Sequence, residues 1–268
     1  MATPQTHFRS ISLPSRLHDP INPSNFEAEL RKLKSCLSKN VAITSETIQS
    51  GLLGLAELYN SVDQLQIHQD GKSIEDSIDG SDQLLDSCNT IRELVQMIRE
   101  NVQALQSAFR RKGADSSTQN DINSYFCLRK KMNKCISKSL KTLKNFENKN
   151  GSNLSLSEVT IAMFKLTIAM FKCTLVFLSL PAGKSGGWNL VSRLMITKSG
   201  DNSVISEVGC VDSALNALRN GDSNVEMVKK SLQNLDSCIE GIETGLQRLF
   251  RQLLQSRVKL LNILTDQY

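Results

Sequence analysis

A chain of 268 residues, 40% hydrophobic and 22% charged, is long enough for a sizeable core, and its composition excludes a protein disordered or membrane-embedded throughout. The net charge of +5 is modest and unevenly placed. Seven scattered cysteines, an odd total with no CxxC pair and no secretory signal ahead of them, argue for free thiols in a reducing compartment rather than a disulfide scaffold.

Residues 1–23 read as a mobile, disordered tail rich in Ser, Thr and Pro, without an acid before Asp19. The composition hints at an organelle transit peptide, but no amphipathic helix accompanies it, which disfavours plastid targeting. Arg9, Ser10, Ser12 and Pro14 form R-S-x-S-x-P, the pattern that 14-3-3 proteins read when the second serine is phosphorylated. A dianionic phosphate there would meet an arginine cluster, and the proline would turn the chain out of the groove. The plain alternative is a chance match, or docking of Phe8 and Leu13 on the folded part.

Pro23-Ser24-Asn25-Phe26-Glu27 announces a first helix, with Ser24 and Glu27 at capping-box spacing. A second helix is expected from about Ser45 to Ile67, where Ile48, Leu52, Leu55, Tyr59 and Val62 recur at helical steps. Asp70-Gly71 and Asp79-Gly80 read as turns around a weak helical segment. A long helix is predicted from Ser81 to Arg111, and cations at 110–112 suit its carbonyl end. The next helix, about Asn120 to Asn148, carries Arg129 and seven lysines against one acid, Glu147, between residues 129 and 149. On a helical wheel Tyr125, Leu128, Met132, Ile136, Leu143 and Phe146 fall on one side, and Lys130, Lys134, Lys138 and Lys141 on the other.

Val159 to Leu180 is the stretch around which the rest is organised. It contains the hexapeptide TIAMFK twice, at Thr160–Lys165 and Thr167–Lys172, so each copy presents the same face two turns on. Isoleucine, methionine, phenylalanine and leucine cover most of the circumference, leaving a narrow polar strip of Thr160, Thr167, Thr174, Lys165 and Lys172. A helix apolar nearly all round is surrounded by other helices. A transmembrane span is the rival reading by length. Lys165 and Lys172 argue against it, since each lysine costs roughly 2.5–3.5 kcal/mol near a bilayer centre. After Pro181 come a Gly-rich loop, a short apolar segment from Trp188 to Lys198, a short helix from Glu207 to Arg219 closed by Asn220-Gly221, and a long helix from about Asp222 to Thr265. The expected fold is all-α: an elongated bundle of long antiparallel helices, one domain over 24–268.

No catalytic constellation or cofactor motif stands out, and a non-enzymatic protein is expected. Gly183-Lys184-Ser185 resembles the end of a phosphate-binding loop, but Leu178 occupies the position of its first glycine, and a helix precedes it instead of a strand. His7, His18 and His68 have no acid or cysteine at catalytic or metal-ligand spacing. The lysine stripe has three readings: a solubilising face, a contact with anionic lipid or an acidic protein, or a nucleic-acid contact. The last is disfavoured because no groove-reading motif or interleaved aromatics accompany it. No small-molecule substrate is expected, and the expected location is cytoplasmic, with peripheral membrane attachment as the alternative.

Several separate segments carry a family resemblance. The opening HFRSISLPSR at 7–16, DGS at 79–81 with LLDSC at 84–88, VQALQSA at 102–108 before Arg110-Arg111, YFCLRKK at 125–131, WNLVSRLM at 188–195 and LFRQLLQSRVKLLNIL at 249–264 agree in order. Together they resemble a plant-specific family related to the BYPASS-type proteins. The resemblance implies a helical protein associated with root and shoot development, without an enzymatic activity, cofactor or catalytic residues to carry over. The doubled TIAMFK departs from the more acidic central helix that the family pattern implies.

Overall fold

The computed structural model describes residues 23–36, 43–62, 71–112, 116–150, 156–179, 206–221 and 224–266. Seven helices account for nearly all of them: α1 (Pro23–Cys36), α2 (Ser45–Val62), α3 (Gly71–Lys112), α4 (Ser116–Asn150), α5 (Glu158–Ser179), α6 (Glu207–Arg219) and α7 (Val225–Asp266). No strand occurs among the described residues. The fold is the expected all-α bundle. The tail with Arg9, Ser10, Ser12 and Pro14, the three histidines, the Gly183-Lys184-Ser185 loop and Trp188 lie outside the described residues.

Side-chain caps mark where several helices begin. Thr44, Ser157, Ser206 and Asn224 each accept the backbone N–H three residues on, from Thr47, Thr160, Gly209 and Met227, at 3.0–3.2 Å. At the end of α6, Gly221 takes a φ of 97°, the left-handed conformation in which glycine carries no steric penalty. The first helix is present where expected and is described from Pro23, with Ser24 in its first turn. Proline at the first helical position loses no intrahelical hydrogen bond.

The two longest helices, α3 and α7, have 42 residues each and span about 63 Å at 1.5 Å per residue. They run antiparallel: Arg257 pairs with Asp82, Arg99 with Glu243, and Gln103 with Asp236. The α2 helix lies parallel to α7, tied by Gln49 donating to the Cys238 carbonyl and by the Arg248–Glu57 pair. The α5 helix is enclosed by α2, α3 and α4, with α6 against its end. Its buried residues include Phe164, Ile168, Met170, Phe171, Leu175 and Phe177, and only Glu158 and Lys165 are exposed. It is also the one helix among the described residues long and apolar enough to cross a bilayer, and two thirds of that stretch is buried by its neighbours (67%).

The polar strip on α5 divides: Thr160, Thr167 and Thr174 are buried, whereas Lys165 is exposed. Thr167 donates to the Met163 carbonyl and receives a hydrogen bond from the Tyr59 hydroxyl (2.9 Å), Thr174 donates to the Met170 carbonyl, and Thr160 meets Ser157. One expectation is corrected here: Asp79-Gly80 is not a turn, because α3 runs unbroken through it. Ser73, Ser77, Gly80 and Ser81 form a buried small-residue face at helical spacing. Ser77 and Ser81 return their hydroxyls to the carbonyls four residues back, at 2.7 and 2.8 Å. At Gly80 a Cβ would stand 2.3 Å from the Phe164 ring, so glycine there admits the ring of α5 instead of breaking the helix.

The enclosed ring of Phe171 is fully buried, whereas Lys165 on the same helix faces solvent. Phe171→Ala is expected to cost about 3–5 kcal/mol of unfolding free energy, and Lys165→Ala to stay within about 0.5 kcal/mol. Paired urea titrations check this, and equal small effects would contradict the enclosure of α5.

Candidate functional site: the basic face of α4 and its buried clamp

The α4 helix has two sharply different sides. Ile122, Tyr125, Met132, Ile136, Leu143 and Phe146 are buried at three- and four-residue steps against the bundle. Phe146 packs on Phe164 of α5 with ring centroids 5.9 Å apart. On the outside Lys130, Lys131, Lys134, Lys138, Lys141 and Lys144 are all exposed. At 100° per residue Lys130, Lys134, Lys138 and Lys141 share an arc of about 80°, and Lys130 to Lys144 spans about 21 Å. The four lysines singled out from sequence are therefore together on one solvent-facing stripe. No acid occurs between Asp121 and Glu147. Glu147 is itself taken by Lys172 of α5 at 2.5 Å, so it does not neutralise the stripe. Among the described residues none of the six lysines from 130 to 144 has an ion-pair partner.

Arg129 leaves this stripe. Counted from sequence with the basic residues, it is only 4% exposed and points inward, where Asp212 of α6, itself 8% exposed, receives it. Arg129 Nη2 donates to Asp212 Oδ2 at 3.0 Å, and its Nε lies 3.2 and 3.3 Å from the two carboxylate oxygens. The Tyr125 hydroxyl donates to Asp212 Oδ1 at 2.8 Å. Arg129 Nη1 donates to the Leu178 carbonyl at 2.6 Å. That carbonyl lies in the last turn of α5, which has no intrahelical acceptor role left, and a cation suits it electrostatically. Burial, with the Asp212 charge next, holds the Tyr125 phenol well above its ordinary range, so it remains a donor. One arginine thus joins α4, α5 and α6. Sequence reasoning missed this clamp, although it left a signal: Asp212 is a lone acid on the apolar face made by Val208, Val211 and Leu215.

The thiols divide by depth. Burial pushes Cys88 up to about 12 and Cys173 up to about 11, while Cys127 and Cys135 stand exposed on α4. Cys88 ordinarily ionises near 9, so its burial contributes stability below that pH, and the contribution is lost as pH rises from about 9 towards about 12. Among the described residues no three His, Cys, Asp or Glu side chains come together as metal ligands.

Fold and surface define a class of helical bundle: long helices around an apolar core helix, with one strongly basic side. Residues 51–263 match the family model described as Protein BPS1, and with most of its length covered the chain belongs to that family. The family is one of plant development-related proteins, as the sequence resemblance implied. No curated protein and no solved structure matches the chain.

Removing one partner of a buried ion pair leaves a stranded charge. Asp212→Ala is expected to cost about 3–5 kcal/mol, and the double substitution Arg129→Met with Asp212→Leu clearly less. Denaturation of the single and double variants tests this, and additive losses would contradict a coupled clamp.

Proposed function

We propose that this protein works by binding, without catalysing a reaction, and that the outer face of α4 docks it on an anionic lipid surface as a regulatory step in root and shoot development. The observation that carries the reading is the acid-free stripe of exposed lysines on a helix whose other side is fixed in the core. Each lysine near a charged bilayer contributes about 1 kcal/mol. Four of them give an affinity on the order of millimolar and six a somewhat stronger one, a reversible attachment that salt weakens. A purely solubilising face would be equally exposed, but acids commonly interleave with the cations on such surfaces and reduce their net charge.

Charge reversal separates the two. Lys134→Glu, Lys138→Glu and Lys141→Glu together are expected to abolish sedimentation with vesicles containing phosphatidylserine, and added salt is expected to weaken the wild type. Unchanged sedimentation of the triple variant would contradict the reading. An RNA that competes better than the vesicles would move the assignment to nucleic acid.

A second contact is proposed for the tail on the strength of its R-S-x-S-x-P pattern: phosphorylated Ser12, framed by Arg9, Ser10 and Pro14, is a ligand for 14-3-3 proteins. A Ser12-phosphorylated peptide is expected to bind more tightly than the unmodified peptide in a fluorescence polarisation titration, and equal binding would end the proposal.

A further inference from the structure

Beside the lysine stripe the wedge between α3 and α4 is not filled. An open groove of about 340 Å³ lies there, at the lower end of the roughly 300–1,000 Å³ typical of ligand sites. Beneath it lies the bundle core, at Ile91 of α3, Leu143 of α4 and Leu175 of α5, all buried. Three of the four hydroxyls along its walls are already spent, and only the Ser139 hydroxyl and the Gln83 amide remain beside the charged lips. Ser87 donates to the Gln83 carbonyl at 2.8 Å, Thr90 to the Asp86 carbonyl at 3.0 Å and Thr142 to the Lys138 carbonyl at 3.2 Å. A sugar or nucleoside placed there would find few free donors, and each of its own unpaired groups would cost about 1–3 kcal/mol. An aliphatic chain has no such groups to satisfy. The two lips are charged: Lys138 on α4, with Lys134 and Lys141 one turn away, and the exposed carboxylate of Asp86 on α3.

We infer that this groove seats one acyl chain of an anionic membrane lipid, whose headgroup is held on the α4 lip by Lys138. The inference rests on the lipid-docking reading and deepens it, adding a shape-selective contact to a diffuse electrostatic one. Asp86 sets the polarity of the mouth, since its charge repels the headgroup from the α3 side. Lys138 therefore belongs to both the stripe and the groove, and Cys135, exposed and lining the same groove, reports on its occupancy. Cys127 is exposed on the same helix but does not line the groove, which makes it an internal control.

The test uses the full chain and dodecyl phosphate below its micelle concentration. Alkylation by iodoacetamide is followed at both thiols by peptide mass spectrometry. Dodecyl phosphate is expected to slow alkylation of Cys135 several-fold and to leave Cys127 unchanged, while inorganic phosphate slows neither. Lys138→Glu is expected to weaken the protection, Asp86→Asn to strengthen it, and Ser139→Trp, which fills the groove, to remove it. Equal slowing of both thiols, no slowing of either, or undiminished protection in a folded Ser139→Trp variant would overturn the inference. Wild-type protein that sediments with phosphatidylserine vesicles but gives no selective protection loses the groove and keeps the docking face. Selective protection without sedimentation loses the docking face alone.

Discussion

A helix that is apolar on almost its whole circumference has to be enclosed, and the arrangement of this bundle follows from enclosing α5. Each fully buried leucine, isoleucine, phenylalanine or methionine contributes about 1.5–3 kcal/mol relative to exposure. Enclosure also obliges every polar atom on the helix to find a partner inside the protein, since an unmade buried hydrogen bond costs about 1–3 kcal/mol. Thr167 and Thr174 solve this by bonding to their own backbone. Lys172 reaches Glu147 at the rim of the core. The carbonyl end of the helix is met by Arg129, whose own charge is met by Asp212.

That last requirement connects the core to the surface. With Arg129 and Tyr125 drawn inward to α5 and α6, the rotation of α4 about its axis is fixed. Lysines at 130, 134, 138 and 141 must then face outward, because they lie on the other side of the same helix. The basic stripe is therefore held rigidly by the core, and its geometry does not depend on flexible side-chain clustering. The groove beside it has the same origin: α3 and α4 both lean on α5, and where they diverge the groove opens above the buried Leu175.

Much of this was legible in the sequence, for identifiable reasons. The doubled TIAMFK could belong only to an enclosed helix or a membrane span, and the paired lysines favoured the former. The end of α6 was readable because Asn220-Gly221 is a strong local stop signal, and Gly221 takes a positive φ there. What was hidden is what neighbours decide. Asp79-Gly80 has the local chemistry of a turn, but the missing Cβ serves Phe164 of a helix more than eighty residues away in sequence, and packing overrides propensity. Arg129 looked like one more surface cation, since only the position of Asp212 on another helix distinguishes it. The groove depends on the spacing of three helices, which no periodicity encodes.

The central claim is that α5 lies inside the bundle, away from lipid as well as water, while α4 makes the external contact. Hydrogen–deuterium exchange of the full-length protein, with and without phosphatidylserine vesicles, tests it most directly. The account predicts that amides from Met163 to Leu178 are among the slowest in the protein and exchange at the same rate in both conditions, as expected for a core element that opens only on global unfolding. Rapid exchange across that segment in solution, becoming slow only when vesicles are added, would show that α5 is a lipid-seeking helix and would contradict the account.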